Sequence, residues 1–104
     1  MTDRITTLKE YLQQNPSDNF LQHALALEYI KAGDDTEARR LFEEILTRDP
    51  GYTGSYYHLA QLLQRTGEKE LAVQWYEKGM EAAKKAGEHR AYGELRSAYE
   101  ELVF

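Results

Sequence analysis

Apolar residues recur along this chain at intervals of three and four, the spacing that stacks side chains on one face of an α-helix. From Asp18 to Ala32 that face is Leu21, Ala24, Leu25, Tyr29 and Ala32. The next segment places Ala38, Leu41, Phe42, Ile45 and Leu46 together and stops before Pro50, which cannot continue a helix. A third segment, Ser55 to Thr66, carries Tyr56, Leu59, Ala60 and Leu63. A fourth, from about Lys69 to Ala86, carries Ala72, Tyr76, Gly79, Met80 and Ala83. Ile5, Leu8 and Leu12 mark an amphipathic helix before these four, and Tyr92, Leu95, Tyr99 and Leu102 mark one after them. The pattern predicts six helices joined by short turns.

The breaks between them have their own chemistry. Asp18 stands where an N-cap belongs, and Asp34 followed by Glu37 has the spacing of a capping box. Gly33 is placed to close the preceding helix in the left-handed conformation. Composition agrees with helix: thirteen leucines, eleven alanines and thirteen glutamates outnumber three isoleucines and two valines.

Composition also narrows the function classes. The 104 residues suit one small domain, and the absence of cysteine removes disulfides, thiolate zinc sites and a cysteine nucleophile. A formal charge of −5 argues against a surface that neutralises phosphates, so no nucleic acid partner is expected. No stretch reaches the roughly 20 apolar residues that span a bilayer, and the start Met1-Thr2-Asp3-Arg4 lacks a signal-peptide core. The expectation is a soluble, cytoplasmic chain with no membrane partner.

Part of the pattern repeats. Pro16 and Pro50 lie 34 residues apart, as do Leu25 and Leu59, Ala26 and Ala60, Gly33 and Gly67, Ala38 and Ala72, and Glu43 and Glu77; Phe42 pairs with Tyr76 at the same offset. A turn glycine, a proline ahead of a helix and small contact residues each serve one packing task, which makes a duplicated helix pair the economical reading.

These residues resemble the tetratricopeptide repeat, a 34-residue helix-turn-helix with the pattern W-x2-L-G-x2-Y, A-x3-F, P. The first copy reads Gln22-x2-Leu25-Ala26-x2-Tyr29, Ala38-x3-Phe42 and Pro50; the second reads Tyr56-x2-Leu59-Ala60-x2-Leu63 and Ala72-x3-Tyr76. Leu8, Leu12 and Asn15-Pro16 match the end of a repeat, and Tyr92-x2-Leu95-Arg96-x2-Tyr99 looks like the start of another, two residues late and with Arg96 where a small residue is usual. Gln22 stands for the aromatic, Lys84 for the second terminal proline, and Gly79 for the usual alanine. Gly79 either permits very close helix contact or is a tolerated weak spot. The resemblance implies an all-α fold, a right-handed α-solenoid of antiparallel helix pairs, with 1–104 as one domain. Its parts would be an N-terminal half-repeat (1–15), repeats at 19–52 and 53–86, and a C-terminal helix (88–104).

The resemblance further implies a groove lined by the first helix of each repeat, which holds a segment of a protein or peptide partner. Projecting the helical period onto those helices puts Phe20, His23, Leu27, Ile30 and Lys31 on the unburied side of one and Tyr57, Gln61, Gln64 and Arg65 on the other, with Arg90, Ser97 and Glu101 following on the last helix. Two readings are open for Phe20 and Ile30: lining the groove, or packing beneath the N-terminal half-repeat. Lys31 and Arg65 are equivalent positions that would hold an acidic group or end their helices in solvent. One subclass of the family clamps the C-terminal acid of a chaperone with lysines and asparagines; His23, Leu27 and His58 stand at those positions here, which disfavours that role.

His23 and His58, without cysteine or a placed carboxylate, make a poor metal set, so neither metal nor cofactor is expected. No phosphate-binding glycine motif, nucleophile elbow or catalytic acid–base pair is present, so no enzyme is expected. The alternative to a peptide-binding module is a structural or weakly self-associating unit, or a fragment of a longer array, suggested by Leu102-Val103-Phe104 and by Trp75 lying off the buried stripe.

Overall fold

The structure, a computed structural model, describes residues 3–104, which form six α-helices and no strand. They are α1 (Arg4–Gln14), α2 (Asn19–Lys31), α3 (Asp35–Arg48), α4 (Gly54–Arg65), α5 (Lys69–Ala86) and α6 (His89–Val103). The chain divides into two compact units, one ending at Arg48 and one spanning Asp49–Phe104.

Local chemistry sets the helix ends. Gly33, Gly67 and Gly87 have φ of 83°, 89° and 71°, a region that costs a side chain about 1–2 kcal/mol. At each glycine the chain reverses in the same way. The following N–H of Asp34, Glu68 or Glu88 donates back to Tyr29, Leu63 or Ala83 at 2.8, 2.8 and 2.9 Å, and occupies a carbonyl the ending helix would otherwise leave open. Asp18 caps α2 by accepting from Leu21 N–H at 3.0 Å. Asp34 caps α3 by accepting from Glu37 N–H at 3.2 Å, but the capping box is only half made. The Asp34 N–H is already bound to Tyr29, and the Glu37 carboxylate turns to Arg40 at 2.7 Å.

In the first unit α2 packs against both α1 and α3. Leu8, Leu25, Tyr29, Leu41, Phe42 and Ile45 are buried, each large side chain contributing roughly 1.5–3 kcal/mol by leaving water. Ala32, expected on that face, is exposed, because α2 ends one residue earlier at Lys31. Gln22 is buried in place of the aromatic. Its amide donates to the Pro16 carbonyl at 3.1 Å and accepts from the Arg48 guanidinium at 2.7 Å. In the second unit Tyr56, 34 residues on, reaches the Pro50 carbonyl with its hydroxyl at 2.6 Å. One task, tying the helix to the preceding proline, is thus done by two different side chains.

In the second unit α5 packs against α4 and α6, which also meet each other. Gly79 decides how closely. A Cβ there would lie 2.7 Å from Tyr56 Cβ and 3.1 Å from Leu95 Cδ1, so the glycine is required by close approach and is not a weak spot. With no proline at Lys84, α5 runs on to Ala86. On α6, Leu95 is fully buried while Arg96 is exposed and pairs with Glu100 at 3.1 Å. Arg96 therefore does not occupy a close-contact position, contrary to the alignment that set it against a small residue.

A candidate polar cleft between α4 and α6

On the side of the second unit that carries the projected residues, a cleft of about 520 Å³ opens between α4 and α6. Tyr57, Gln61 and Gln64 line it from α4; Arg90, Ser97 and Glu101 line it from α6. These are the residues that helical projection places on the unburied side, and short side chains at Gly93 and Ala98 leave room between them. Nothing lies within 4 Å of where a Gly93 Cβ would be.

Two buried or half-buried tyrosines organise the polar wall. Gln61 Nε2 donates to Tyr57 Oη at 2.9 Å, and the Tyr76 hydroxyl, reaching from α5, donates to Gln64 Oε1 at 3.2 Å. Burial, and then the nearby Tyr57 and Glu101, push the Tyr76 hydroxyl up to about 12, so it stays protonated and remains a donor. At the mouth Arg90 pairs with Glu94 at 3.3 Å.

Arg65 lies apart from this cleft, in a smaller depression with Gln61 and Gln64. His58 turns instead into a narrower cavity of about 150 Å³ with Thr53, Ala91, Glu94 and Leu95. Its ring stands edge-on to Tyr57 at 5.7 Å, and burial holds its pKa below the ordinary value. Trp75 is half-buried, tilted against Tyr56 at 5.9 Å and covered by the Lys78 ammonium 4.6 Å above its ring, which accounts for its place off the stripe.

In the first unit Phe20 is 70% exposed, so α1 does not cover it. Leu27 and Ile30 are half-buried. His23 packs edge-on against Phe42 at 5.5 Å. Lys31 lies 3.5 Å from Glu28, which also meets Arg4 at 3.2 Å, so its charge is already answered within the unit. A cleft of about 770 Å³ in this unit has none of these residues; it is lined by Lys9, Tyr29, Glu37, Arg40 and Glu44 among others. There Arg40 bridges Glu37 at 2.7 Å and Glu44 at 2.8 Å, and the hydrogen bond with Arg40 lowers the Glu37 pKa. The acidic flank of Arg40 at i−3 and i+4 was visible as a helix-surface network, but not as the wall of a cleft.

A tetratricopeptide repeat family model matches residues 29–99, more than half of the chain. The chain belongs to the tetratricopeptide repeat family. The crystal structure of a tetratricopeptide repeat domain protein from Salinibacter ruber is 36% identical, superposes with a TM-score of 0.78, and covers 82% of this chain and 94% of its own. A solution structure from Bordetella parapertussis, 25% identical, reaches a TM-score of 0.84 over 98% of this chain and 89% of its own. The fold class is accordingly the all-α helical-repeat solenoid. Among curated relatives, the mouse aspartyl/asparaginyl beta-hydroxylase is 28% identical over 76% of this chain. Mouse interferon-induced protein with tetratricopeptide repeats 3 is 27% identical over 67%. The chain spans only 16% and 17% of the lengths of these two relatives. Membership carries the general expectation of a protein-interaction module. No helix among the described residues is long and apolar enough to cross a membrane.

Proposed function

We propose that this protein is a non-catalytic interaction module that seats a segment of a partner polypeptide in the cleft between α4 and α6. One observation carries the reading: Tyr57, Gln61 and Gln64 converge with Arg90, Ser97 and Glu101 on an open space of about 520 Å³. Polar groups that converge on a cleft are what orient a bound ligand. The α2 surface that carries Phe20, Leu27 and Ile30, with His23 and Lys31 beside it, is a second contact surface in this reading, since Phe20 leaves a large apolar side chain in solvent. Arg65 serves as an outlying contact. Residues 1–104 act as one domain, which a single cooperative unfolding transition seen alike by circular dichroism and tyrosine fluorescence would support.

The test is selection of a random dodecapeptide library on the intact chain, followed by titration of the selected peptides. Gly93→Leu grows a side chain into the cleft from a position where a Cβ meets nothing. Selected peptides are expected to lose at least tenfold in affinity for this variant while its unfolding midpoint stays at or above that of the parent chain. Peptides that bind Gly93→Leu as tightly as the parent chain place the site elsewhere and overturn the reading.

A further inference from the structure

We infer that a hollow between the Pro50 turn and the second half of α5 is a separate small-ligand site, which takes an organic monocarboxylate with an apolar body. The hollow has a volume of about 510 Å³, lies within the second unit, and shares no lining residue with the α4–α6 cleft.

The two repeats differ here at one position. In the first, Arg48 reaches back from the end of α3, and its guanidinium donates to Gln22 Oε1 at 2.7 Å and to Asn19 Oδ1. At the offset of 34 residues Ala82 stands for Arg48 and Tyr56 for Gln22. The alanine has no such reach, and Tyr56 is held instead through its hydroxyl by the Pro50 carbonyl. The space that a guanidinium and its stem take up in the first repeat is therefore open in the second, with Pro50, Gly51, Tyr56, Ala82 and Ala86 as mainly apolar walls. A concave, largely apolar space with a few polar groups beside it is what small ligands occupy.

The rim sets the sign of the ligand. Lys78, Glu81 and Lys85 stand on it, two ammoniums against one carboxylate, which leaves one positive charge. Glu81 and Lys85 approach only to 3.9 Å with both side chains largely exposed, so that pair holds Lys85 weakly. Lys78 Nζ lies 4.6 Å above the Trp75 ring, which places its charge beside the hollow without neutralising it. Asp49, in the same turn, accepts from the Gly51 N–H at 3.2 Å. Lys78 and Lys85 are seven residues apart, two turns along one face of α5, so a carboxylate at the rim is flanked by both. Its apolar body leaves water against Tyr56, Ala82 and Ala86. A dianion exceeds the charge the rim offers, and a cation is repelled by it.

The experiment titrates the isotopically labelled chain with naphthoate and, as the neutral control, naphthylmethanol, and follows amide and indole N–H chemical shifts. Trp75 is the one tryptophan in the sequence, so its indole signal identifies itself. Saturable shifts are expected at the Trp75 indole, at Gly51 and at residues 78–86, with half-saturation at about 1 mM or below, while residues 89–101 of α6 stay unmoved. Lys78→Gln should weaken naphthoate about two- to fivefold, the size of an exposed ion pair, and leave the alcohol unchanged; Glu81→Gln, which removes the competing carboxylate, should strengthen it by a similar factor. Ala82→Arg, which restores the filling of the first repeat, should weaken naphthoate at least about tenfold although it adds a positive charge. Circular dichroism reports whether each variant is folded, and Ala86→Leu, at an exposed position on the same wall, carries the test if Ala82→Arg does not fold. No saturable shift up to about 5 mM, equal binding of naphthoate and the alcohol, or undiminished binding in the folded wall variant overturns the inference.

Discussion

Replacing Gly79 by alanine tests the packing of the second unit where it is tightest. Helix propensity alone predicts a gain of roughly 1 kcal/mol, because glycine in a helix interior is unfavourable. The new methyl, however, would sit 2.7 Å from Tyr56 Cβ, 3.0 Å from Tyr56 Cγ and 3.1 Å from Leu95 Cδ1. Carbon atoms rest at about 3.5–4.0 Å, so α4 must retreat from α5 by close to 1 Å. The obstructing Tyr56 Cβ is fixed to the α4 backbone and cannot swing aside. Its hydroxyl is also held by Pro50, so the tyrosine is pinned at both ends. Overpacking of this kind costs about 1–3 kcal/mol, which outweighs the propensity gain and leaves a net loss of up to about 2 kcal/mol. For a chain of this length that corresponds to a fall in melting temperature of up to about 8 °C. Gly93→Ala is the matched control: it is also a helix-interior glycine, but its Cβ meets nothing within 4 Å, so only the propensity gain applies. Thermal unfolding by circular dichroism should place Gly79→Ala below the parent chain and Gly93→Ala above it. Melting of Gly79→Ala raised as far as that of Gly93→Ala would refute the close-approach argument.

Three further outcomes follow from the turns and the half-buried His58 imidazole. Asp34→Ala removes the acceptor for Glu37 N–H and should cost about 1 kcal/mol in urea denaturation, with Asp34→Asn close to the parent. Gly67→Ala forces a side chain into a φ of 89° and should cost about 1–2 kcal/mol although no atom obstructs the Cβ, which separates backbone strain from crowding. Burial holds the His58 pKa below its ordinary 6.5, so the unfolded chain takes up a proton first as pH falls. The His58 contribution is therefore complete above about pH 6.5 and is lost below it. His58→Gln should lose less stability than the parent between pH 7 and pH 5 in urea titrations, and an equal loss in both chains would count against the assignment.

Much of this architecture was legible because one residue type does one task at one spacing. Gly33 and Gly67 end helices where a left-handed residue is needed, and the missing proline at Lys84 foretold the extension of α5 to Ala86. Tasks that different residues share were harder to read. Gln22 looked like a damaged aromatic position, yet it makes the same tie to a proline carbonyl that Tyr56 makes, through an amide in place of a phenol. Gly79 was ambiguous because periodicity reports which face a residue is on and not how near the next helix comes. In the cleft, projection found Tyr57, Gln61, Gln64, Arg90, Ser97 and Glu101, since all stand on the first helix of a pair. It missed Tyr76, a core residue of the second helix whose hydroxyl reaches through to Gln64, because a buried stripe does not announce which aromatic ends in a hydrogen bond. It also grouped Arg65 with Lys31 by equivalence, whereas Lys31 is paired with Glu28 and Arg65 lies outside the α4–α6 cleft.

The most direct measurement of the central claim is amide chemical-shift mapping of the uniformly labelled chain titrated with a peptide selected on it. The account predicts that the largest shifts fall on residues 57–64 of α4 and 89–101 of α6. Shifts centred instead on the Lys9, Tyr29 and Arg40 cleft, or on the outer face of α5 around Trp75 and Lys78, with α4 and α6 unmoved, would contradict it.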